Sequence, residues 1–302
     1  MKKVLVALII LLTVAAYAVG NYFVDYALKR GADLSPPEAC MKIADPSLKE
    51  PPAPNFPSED LTLTSFDGIT LHAEKFTPAE KSGCWAILVH GYGRDGRFAY
   101  DYAEEYLKRG WNVLIPDLRA QGRSDGEYIT MGKFESRDVY DWAQKISSEY
   151  PDAKIILHGV SMGGATVIMA GALNPDNLVA VIEDCGFTSA YEMFTAQIEK
   201  IFGLPEFPIM PCADFVCGMK TGTKISEAAP IEFVDKIKVP VLFIHGDADT
   251  LIPIEMMERL SEACTAPKEI FVVNGAGHAD SKVKNPTAYF EKIFTFLTEV
   301  MQ

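Results

Sequence analysis

The sequence changes from a strand pattern to a helix pattern at Gly159-Val160-Ser161-Met162-Gly163. An apolar run, Ile155–Leu157, precedes this Gly-x-Ser-x-Gly motif, and an Ala-rich stretch typical of a helix, Ala165–Ala172, follows it. This order predicts a strand, a very tight turn and a helix, with Ser161 held at the apex in a strained backbone conformation. Glycines flank the serine because side chains there would collide with the neighbouring strand or helix. The turn would lift the Ser161 hydroxyl clear of a sheet; the competing interpretation is a serine that merely caps the helix.

The rest of the chain alternates between strand and helix patterns. Such alternation predicts an α/β fold with a mostly parallel sheet and helices on both of its faces. The length of 302 residues suits one large domain of this kind that carries an inserted segment. The predicted strands are Leu61–Ser65, Ile69–Phe76, Trp85–Val89, Trp111–Ile115, Ile155–Leu157, Val179–Ile182, Val241–Ile244 and Ile270–Val273. The predicted helices are Ala99–Arg109, Phe134–Tyr150, Glu255–Cys264 and Thr287–Val300, besides the one after Ser161.

Residues 188–229 interrupt this alternation, because they are rich in Phe, Met and Pro and contain no clear strand. We interpret them as a helical cap inserted over the carboxyl edge of the sheet, within an α/β domain that spans residues 61–302. The apolar residues of its first half would then face inward, and the alternative is that they only pack an excursion of the core. These residues are Phe194, Ile198, Ile201 and Phe202.

The N-terminal residues 1–30 are predicted to be a membrane anchor. Val4–Val19 contains no charged residue, and the apolar stretch reaches Val24, about the 20 residues that a bilayer-spanning helix needs. A cleaved signal peptide is the alternative, with Ala16-Tyr17-Ala18 as its cleavage site. Lys2-Lys3 would keep the start of the chain in the cytoplasm and place the α/β domain outside, either held at the cell membrane or secreted after cleavage. Residues 31–60 are rich in proline and are predicted to be a linker.

Composition restricts the partners of the chain. A net charge of −13 argues against nucleic acid, whose phosphates require a basic surface. The six cysteines lack the spacing of metal ligands, and free thiols are favoured, although Cys212 and Cys217 lie close enough to form a disulfide in an oxidising compartment. Neither a phosphate-binding loop nor a dinucleotide-binding glycine motif is present, so no metal or organic cofactor is expected. The sequence makes no prediction about oligomeric state.

A serine nucleophile needs a histidine base, which a third group orients. Of the five histidines, His72 lies in a predicted hairpin, whereas His90, His158 and His245 follow apolar strands and precede glycine, which favours structural roles. His278 remains, in a flexible loop directly after the last strand. The acid is predicted to be Asp249, after the Val241–Ile244 strand, because the nearby Asp247 is better placed to hold the turn. Asp184, after the Val179–Ile182 strand, is the alternative acid.

The order Ser161, Asp249, His278 along the chain is that of the α/β-hydrolases, which this chain resembles over roughly residues 61–300. More narrowly, it resembles bacterial membrane-anchored α/β-hydrolases that are similar to serine aminopeptidases and carboxylesterases. The motifs that carry the broader resemblance are Gly159–Gly164, His90–Gly93, Asp117–Ser124, His245–Asp249 and Gly277-His278. The narrower one rests on Gly20–Phe23 and Leu204–Pro208.

The resemblance implies an oxyanion hole formed by the backbone amides of Tyr92 and Met162. It also implies that a small acyl compound is cleaved through an acyl-enzyme, with Ser161 as nucleophile. We expect a carboxylesterase-like serine hydrolase. One alternative is a serine aminopeptidase or amidase, in which Glu192, Glu199 or Glu206 would bind the substrate ammonium group. The other is a non-catalytic envelope protein that binds a ligand.

Overall fold

One eight-stranded sheet forms the centre of the domain in the computed structural model, which describes residues 2–31, 50–78, 80 and 82–302. The spatial order is β1-β2-β4-β3-β5-β6-β7-β8. Strands β3 to β8 are parallel, and β2 runs antiparallel to both of its neighbours, β1 and β4. The predicted α/β class and mostly parallel sheet are confirmed. The strands are β1 Ser58–Thr64, β2 Thr70–Phe76, β3 Cys84–Val89, β4 Asn112–Asp117, β5 Lys154–Val160, β6 Leu178–Asp184, β7 Val241–Gly246 and β8 Lys268–Val273.

Helices cover both faces of the sheet because its central strands are apolar on both sides. In β3, Ile87 and Val89 belong to one buried cluster, whereas Ala86 and Leu88 belong to the cluster on the opposite face. The helices are α1 Lys2–Leu28, α2 Tyr100–Leu107, α3 Glu135–Glu149, α4 Met162–Ala172, α5 Ala190–Phe202, α6 Glu206–Thr221, α7 Ile254–Ala263, α8 Ser281–Lys284 and α9 Pro286–Met301.

The segment between β6 and β7 is helical, with α5 and α6 followed by three short 3₁₀ turns. Its apolar residues pack against different parts of the structure. Ile198 is buried in the main core cluster, whereas the ring of Phe202 packs edge-on against Phe23 and Tyr26 of α1, at centroid distances of 5.5 and 5.7 Å. Cys212 and Cys217, both on α6, are free thiols.

Helix α1 is, among the described residues, the helix long and apolar enough to cross a membrane. Its apolar residues from Val4 to Val19 are exposed, whereas Gly20, Val24 and Leu28 are buried against the domain. Asp25 forms an ion pair with Lys220 of α6. The C-terminal third of α1 is therefore packed as part of the α/β domain.

The structure differs from the predicted linker, residues 31–60, at its C-terminal end, where a strand has already begun. Strand β1 begins at Ser58, directly after Pro57, and pairs with β2 along its whole length. Residues 32–49 of the predicted linker lie outside the described part of the chain.

Candidate active site

Ser161 occupies a sharp turn between β5 and α4. Its backbone has φ 60° and ψ −122°, a conformation that costs a non-glycine residue about 1–3 kcal/mol. The Ser161 amide donates a 2.8 Å hydrogen bond to the carbonyl of Asp184, which ties the turn to the end of β6. A Cβ on Gly159 would lie 2.1 Å from the carbonyl oxygen of Gly163, and one on Gly163 would lie 2.1 Å from that of Val89. The two glycines therefore allow the close strand–helix approach on which the turn depends.

His278 lies within hydrogen-bond distance of both Ser161 and Asp249. Its Nε2 is 2.8 Å from the Ser161 Oγ, and its Nδ1 is 2.7 Å from the Asp249 Oδ2. The loops after β5, β7 and β8 supply the three residues, because parallel strands bring their carboxyl ends to one edge of the sheet. The structure thus brings together the three residues that the sequence singled out, in the arrangement of a nucleophile, a base and an orienting acid.

Asp249 is held as a buried carboxylate. Its Oδ1 accepts hydrogen bonds of 2.9 Å from the amides of Leu251 and Ile252. Burial alone would raise the pKa of Asp249, but hydrogen bonds from His245, His278 and the Ile252 amide outweigh it and hold the pKa below its ordinary value. Asp249 therefore stays ionised at neutral pH, as a group that stabilises an imidazolium must be.

His245 contributes to this arrangement, although the sequence indicated only a structural role for it. Its Nε2 lies 2.9 Å from the carbonyl oxygen of Ile252 and 3.4 Å from the Asp249 Oδ2. It therefore lies beside the same Asp249 oxygen, Oδ2, that faces His278. The spacing of four residues between His245, at the end of β7, and Asp249 was the signal available in the sequence.

The Asp184 side chain belongs to a buried polar chain that contains Tyr289 and His158. Its Oδ2 accepts a 2.8 Å hydrogen bond from the Tyr289 hydroxyl, which lies 3.1 Å from the His158 Nε2. The Asp184 Oδ1 has no hydrogen-bond partner among the described residues. Burial raises the pKa of Asp184 to about 6. This environment is that of a structural carboxyl group and favours Asp249 as the orienting acid.

We expect Asp184→Asn to alter the pH dependence of stability while ester hydrolysis stays within about threefold of wild type, since Asp184 does not contact His278. A carboxyl pKa that is higher in the folded than in the unfolded state makes the protein lose stability as pH rises from about 4 to about 6. The asparagine variant lacks this loss, on the order of 1–3 kcal/mol. Urea denaturation of both proteins at pH 5 and pH 8 measures the difference. An unchanged pH dependence would contradict the assignment.

Cys185, Asp249 and His278 place potential metal-binding atoms within 4.8 Å of one another. Burial raises the pKa of Cys185 well above its ordinary value, so its thiol stays protonated and is a poor metal ligand. Both nitrogens of His278 already face Ser161 and Asp249. The donor chemistry of this cluster therefore suits a proton-transfer site better than a metal site.

A cavity of about 260 Å³ opens beside the Ser161 hydroxyl. In the described part of the chain, α5 and α6 contribute none of its lining residues. Its wall is partly apolar and includes a charged pair, in which Lys282 binds Asp101 and lies 3.8 Å from the centre of the Tyr102 ring. The lining also includes Gly91, Tyr92, Phe98, His158 and Val283. Because Asp101 and Lys282 are far apart in the chain, no local motif indicated their pairing.

Both predicted oxyanion positions border Ser161. Met162 is the first residue of α4, where a backbone amide has no partner inside the helix. Tyr92 lines the cavity, and a Cβ built on the preceding Gly91 would lie 3.8 Å from the Ser161 Oγ. The assignment of these two amides as the oxyanion hole stays a prediction.

Two family models match the chain. Residues 84–202 match one described as serine aminopeptidase, S33, and residues 187–279 match one described as serine hydrolase (FSH1). Together these ranges contain Ser161, Asp249 and His278.

Curated relatives extend the similarity to most of the chain. The uncharacterized protein YqkD of Bacillus subtilis is 33% identical over 213 residues, which is 70% of each chain. The uncharacterized membrane protein YNL320W of Saccharomyces cerevisiae is 26% identical over 250 residues, 82% of each chain. Among solved structures, an esterase of Pyrococcus furiosus is similar with a TM-score of 0.66 and 24% identity, covering 81% of this chain and 91% of that one.

Proposed function

The chain belongs to the α/β-hydrolase family of serine hydrolases, and we propose that it cleaves carboxylic esters through a covalent acyl-enzyme. The observation that supports this most is the continuous path from the Ser161 Oγ through His278 to the ionised Asp249, with distances of 2.8 and 2.7 Å. A family relationship alone would not carry the reaction, because the fold supports many functions.

In the proposed reaction, the His278 Nε2 accepts the Ser161 proton as the Oγ attacks the ester carbonyl carbon. Asp249 stabilises the resulting imidazolium and holds its Nδ1–H. The tetrahedral intermediate places its oxyanion at the amides of Tyr92 and Met162, and each such donor contributes about 10²–10³ in kcat. His278 then returns the proton to the leaving alcohol. A water molecule, deprotonated by the same nitrogen, releases the acid and restores Ser161.

Ester cleavage is favoured over aminopeptidase activity by the positions of the three glutamates that the sequence offered for a substrate ammonium group. Glu192 pairs with Arg259 at 2.6 Å, and Glu206 accepts a hydrogen bond from Tyr191. Neither they nor Glu199 belong to the lining of the Ser161 cavity. Turnover of 4-nitrophenyl butyrate should therefore exceed that of an aminoacyl 4-nitroanilide. Faster amide than ester turnover would reverse this preference.

We expect the full chain to react covalently with a fluorophosphonate probe, because this reagent modifies only an activated serine. The measurement is labelling of purified protein in detergent, with Ser161→Ala as the control that must not react. The label should map to Ser161 by peptide mass spectrometry. A folded protein that never reacts would favour the alternative of a non-catalytic protein that binds a ligand.

We further propose that α1 anchors the enzyme in the cell membrane, with the catalytic domain outside the cytoplasm. The support is its length, its exposed apolar stretch and the basic Lys2-Lys3 start. The mature protein in a membrane fraction should retain its N-terminus. A mature chain that begins at Val19 would instead indicate cleavage and secretion.

A further inference from the structure

An apolar stripe on α6 lies exposed to solvent next to α1. Three of its side chains are among the most exposed large apolar groups of the domain, with Phe207 76%, Phe215 61% and Met219 53% accessible. Pro208 and Pro211 are also exposed. Positions 208, 211, 215 and 219 recur at helical spacing, so they share one face of α6. This stripe is defined here as Phe207, Pro208, Pro211, Phe215 and Met219.

The stripe borders the face of α6 that packs on α1. Gly20 is so close to α6 that an added Cβ would lie 2.4 Å from the carbonyl oxygen of Cys212 and 2.7 Å from Val216. Five residues beyond Gly20 on α1, Asp25 pairs with Lys220, which lies four residues beyond Val216 on α6. The contacts advance in the same direction on both helices, so α1 and α6 run parallel. The N-terminal end of the regular part of α6, which follows a kink at Phe207, therefore points toward the apolar N-terminal part of α1.

The length of the exposed apolar part of α1 brings this end of α6 to the bilayer. At 1.5 Å per residue, Val4–Val19 is about 24 Å long. The hydrocarbon core of a bilayer is about 30 Å thick, so a spanning α1 draws the residues after Val19 toward the membrane. Those residues begin with Gly20, which already contacts α6.

We propose that the stripe on α6 is a membrane-docking surface, which lies in the interface of the same bilayer that α1 spans. An exposed apolar patch of this kind normally marks a surface with a partner. Its continuity with the exposed part of α1 identifies that partner as the lipid. The acidic residue at this end, Glu206, is turned back to accept a hydrogen bond from Tyr191. The inference rests on the proposed anchoring by α1.

The docking places the catalytic site close to the lipid surface. The Tyr92 hydroxyl donates to the carbonyl of Ala27, seven residues beyond Gly20 and thus about 10 Å farther along α1. Tyr92 also lines the cavity at Ser161. The substrates favoured by this arrangement are amphiphilic esters whose carbonyl lies at the membrane surface.

The test uses the full chain in phosphatidylcholine vesicles, some with brominated acyl chains that quench tryptophan on contact. Phe207→Trp and Phe215→Trp are compared with Tyr22→Trp on α1 and with Tyr150→Trp, an exposed aromatic position near the start of β5. Wild type sets the baseline, since its tryptophans at 85, 111 and 142 are buried. We expect quenching at positions 207 and 215 within about twofold of that at position 22, and none at 150.

Quenching at position 22 without quenching at 207 and 215 would overturn the docking surface, as would protection of the stripe by a second copy of the chain in crosslinking. No quenching at position 22 would overturn both the docking and the anchoring. Ester hydrolysis in the same vesicles tests the catalytic proposal separately.

A double variant of the stripe and a matched control distinguish an effect on membrane docking from an effect on catalysis. Phe207→Glu combined with Phe215→Glu should lower kcat/KM for a long-chain ester in the vesicles by about tenfold, because charges in the interface oppose docking. The rate with water-soluble 4-nitrophenyl butyrate should stay unchanged. Tyr150→Glu is the matched control and should change neither rate. Equal loss with both substrates would contradict a docking role.

Discussion

Ser161→Ala and His278→Ala are each expected to lower kcat for ester hydrolysis by about 10⁶-fold, and the double variant no further. The effects do not add because the hydroxyl and the imidazole perform one proton transfer across a single 2.8 Å contact. Asp249→Asn should cost about 10⁴-fold, since an amide can neither hold the required tautomer nor stabilise the imidazolium. The measurement is steady-state hydrolysis of 4-nitrophenyl butyrate by each full-length variant.

The stability of each variant shows whether its loss of activity comes from the missing catalytic group or from a damaged fold. Ser161→Ala retains the strained backbone of the turn and removes only the hydroxyl, so its thermal midpoint should match wild type within a few degrees. Asp184→Asn is the control for Asp249→Asn, because each replaces a buried carboxylate at a strand end. If Asp184→Asn were inactive and Asp249→Asn active, the acid would be the one that binds Tyr289.

The candidate site was predictable because its signals are local and its geometry follows from topology. Gly159 and Gly163 mark a turn that only glycine permits, and a histidine and an aspartate that follow parallel strands must meet at the same sheet edge. Because the chain has only five histidines, the other four could be excluded as the base and His278 remained. The sequence favoured Asp249 over Asp184 as the acid, but the role of Asp184 was not predictable, because its partner Tyr289 lies about a hundred residues further along the chain.

The position of α1 was not predictable in the same way. Its apolar composition indicated a membrane segment. Gly20, Val24 and Leu28 form a buried face at helical spacing, but this face could not be recognised among so many other apolar residues. The surface that receives them lies on α6, almost two hundred residues away. Phe202 illustrates the consequence: the sequence placed it on an inward face of a cap, whereas it packs against α1.

Removal of residues 1–30 is expected to destabilise the enzyme strongly, whereas removal of residues 1–19 should be tolerated. The shorter deletion removes only the exposed stretch. The longer one removes the fully buried Val24 and Leu28, each of which contributes about 1.5–3 kcal/mol through apolar burial. It also removes Arg30, whose guanidinium donates to the carbonyls of Gly122 and Ser124. The free energy of unfolding should fall by about 3–6 kcal/mol, measured by urea denaturation of both fragments.

Hydrolysis of 4-nitrophenyl butyrate should also be lower for the fragment 31–302 than for 20–302, because α1 supports the proposed oxyanion loop. The Tyr92 hydroxyl is 2.5 Å from the Ala27 carbonyl oxygen, and the backbone amide of the same residue is the predicted oxyanion donor. The fragment 31–302 should therefore lose up to about 10²-fold in kcat, approaching the value of one such donor, while 20–302 keeps the full-length rate. Tyr92→Phe isolates this contact and should cost about 1 kcal/mol of stability with less than tenfold in kcat. Equal stability and equal kcat for the two fragments would show that the docked part of α1 supports neither the fold nor the loop.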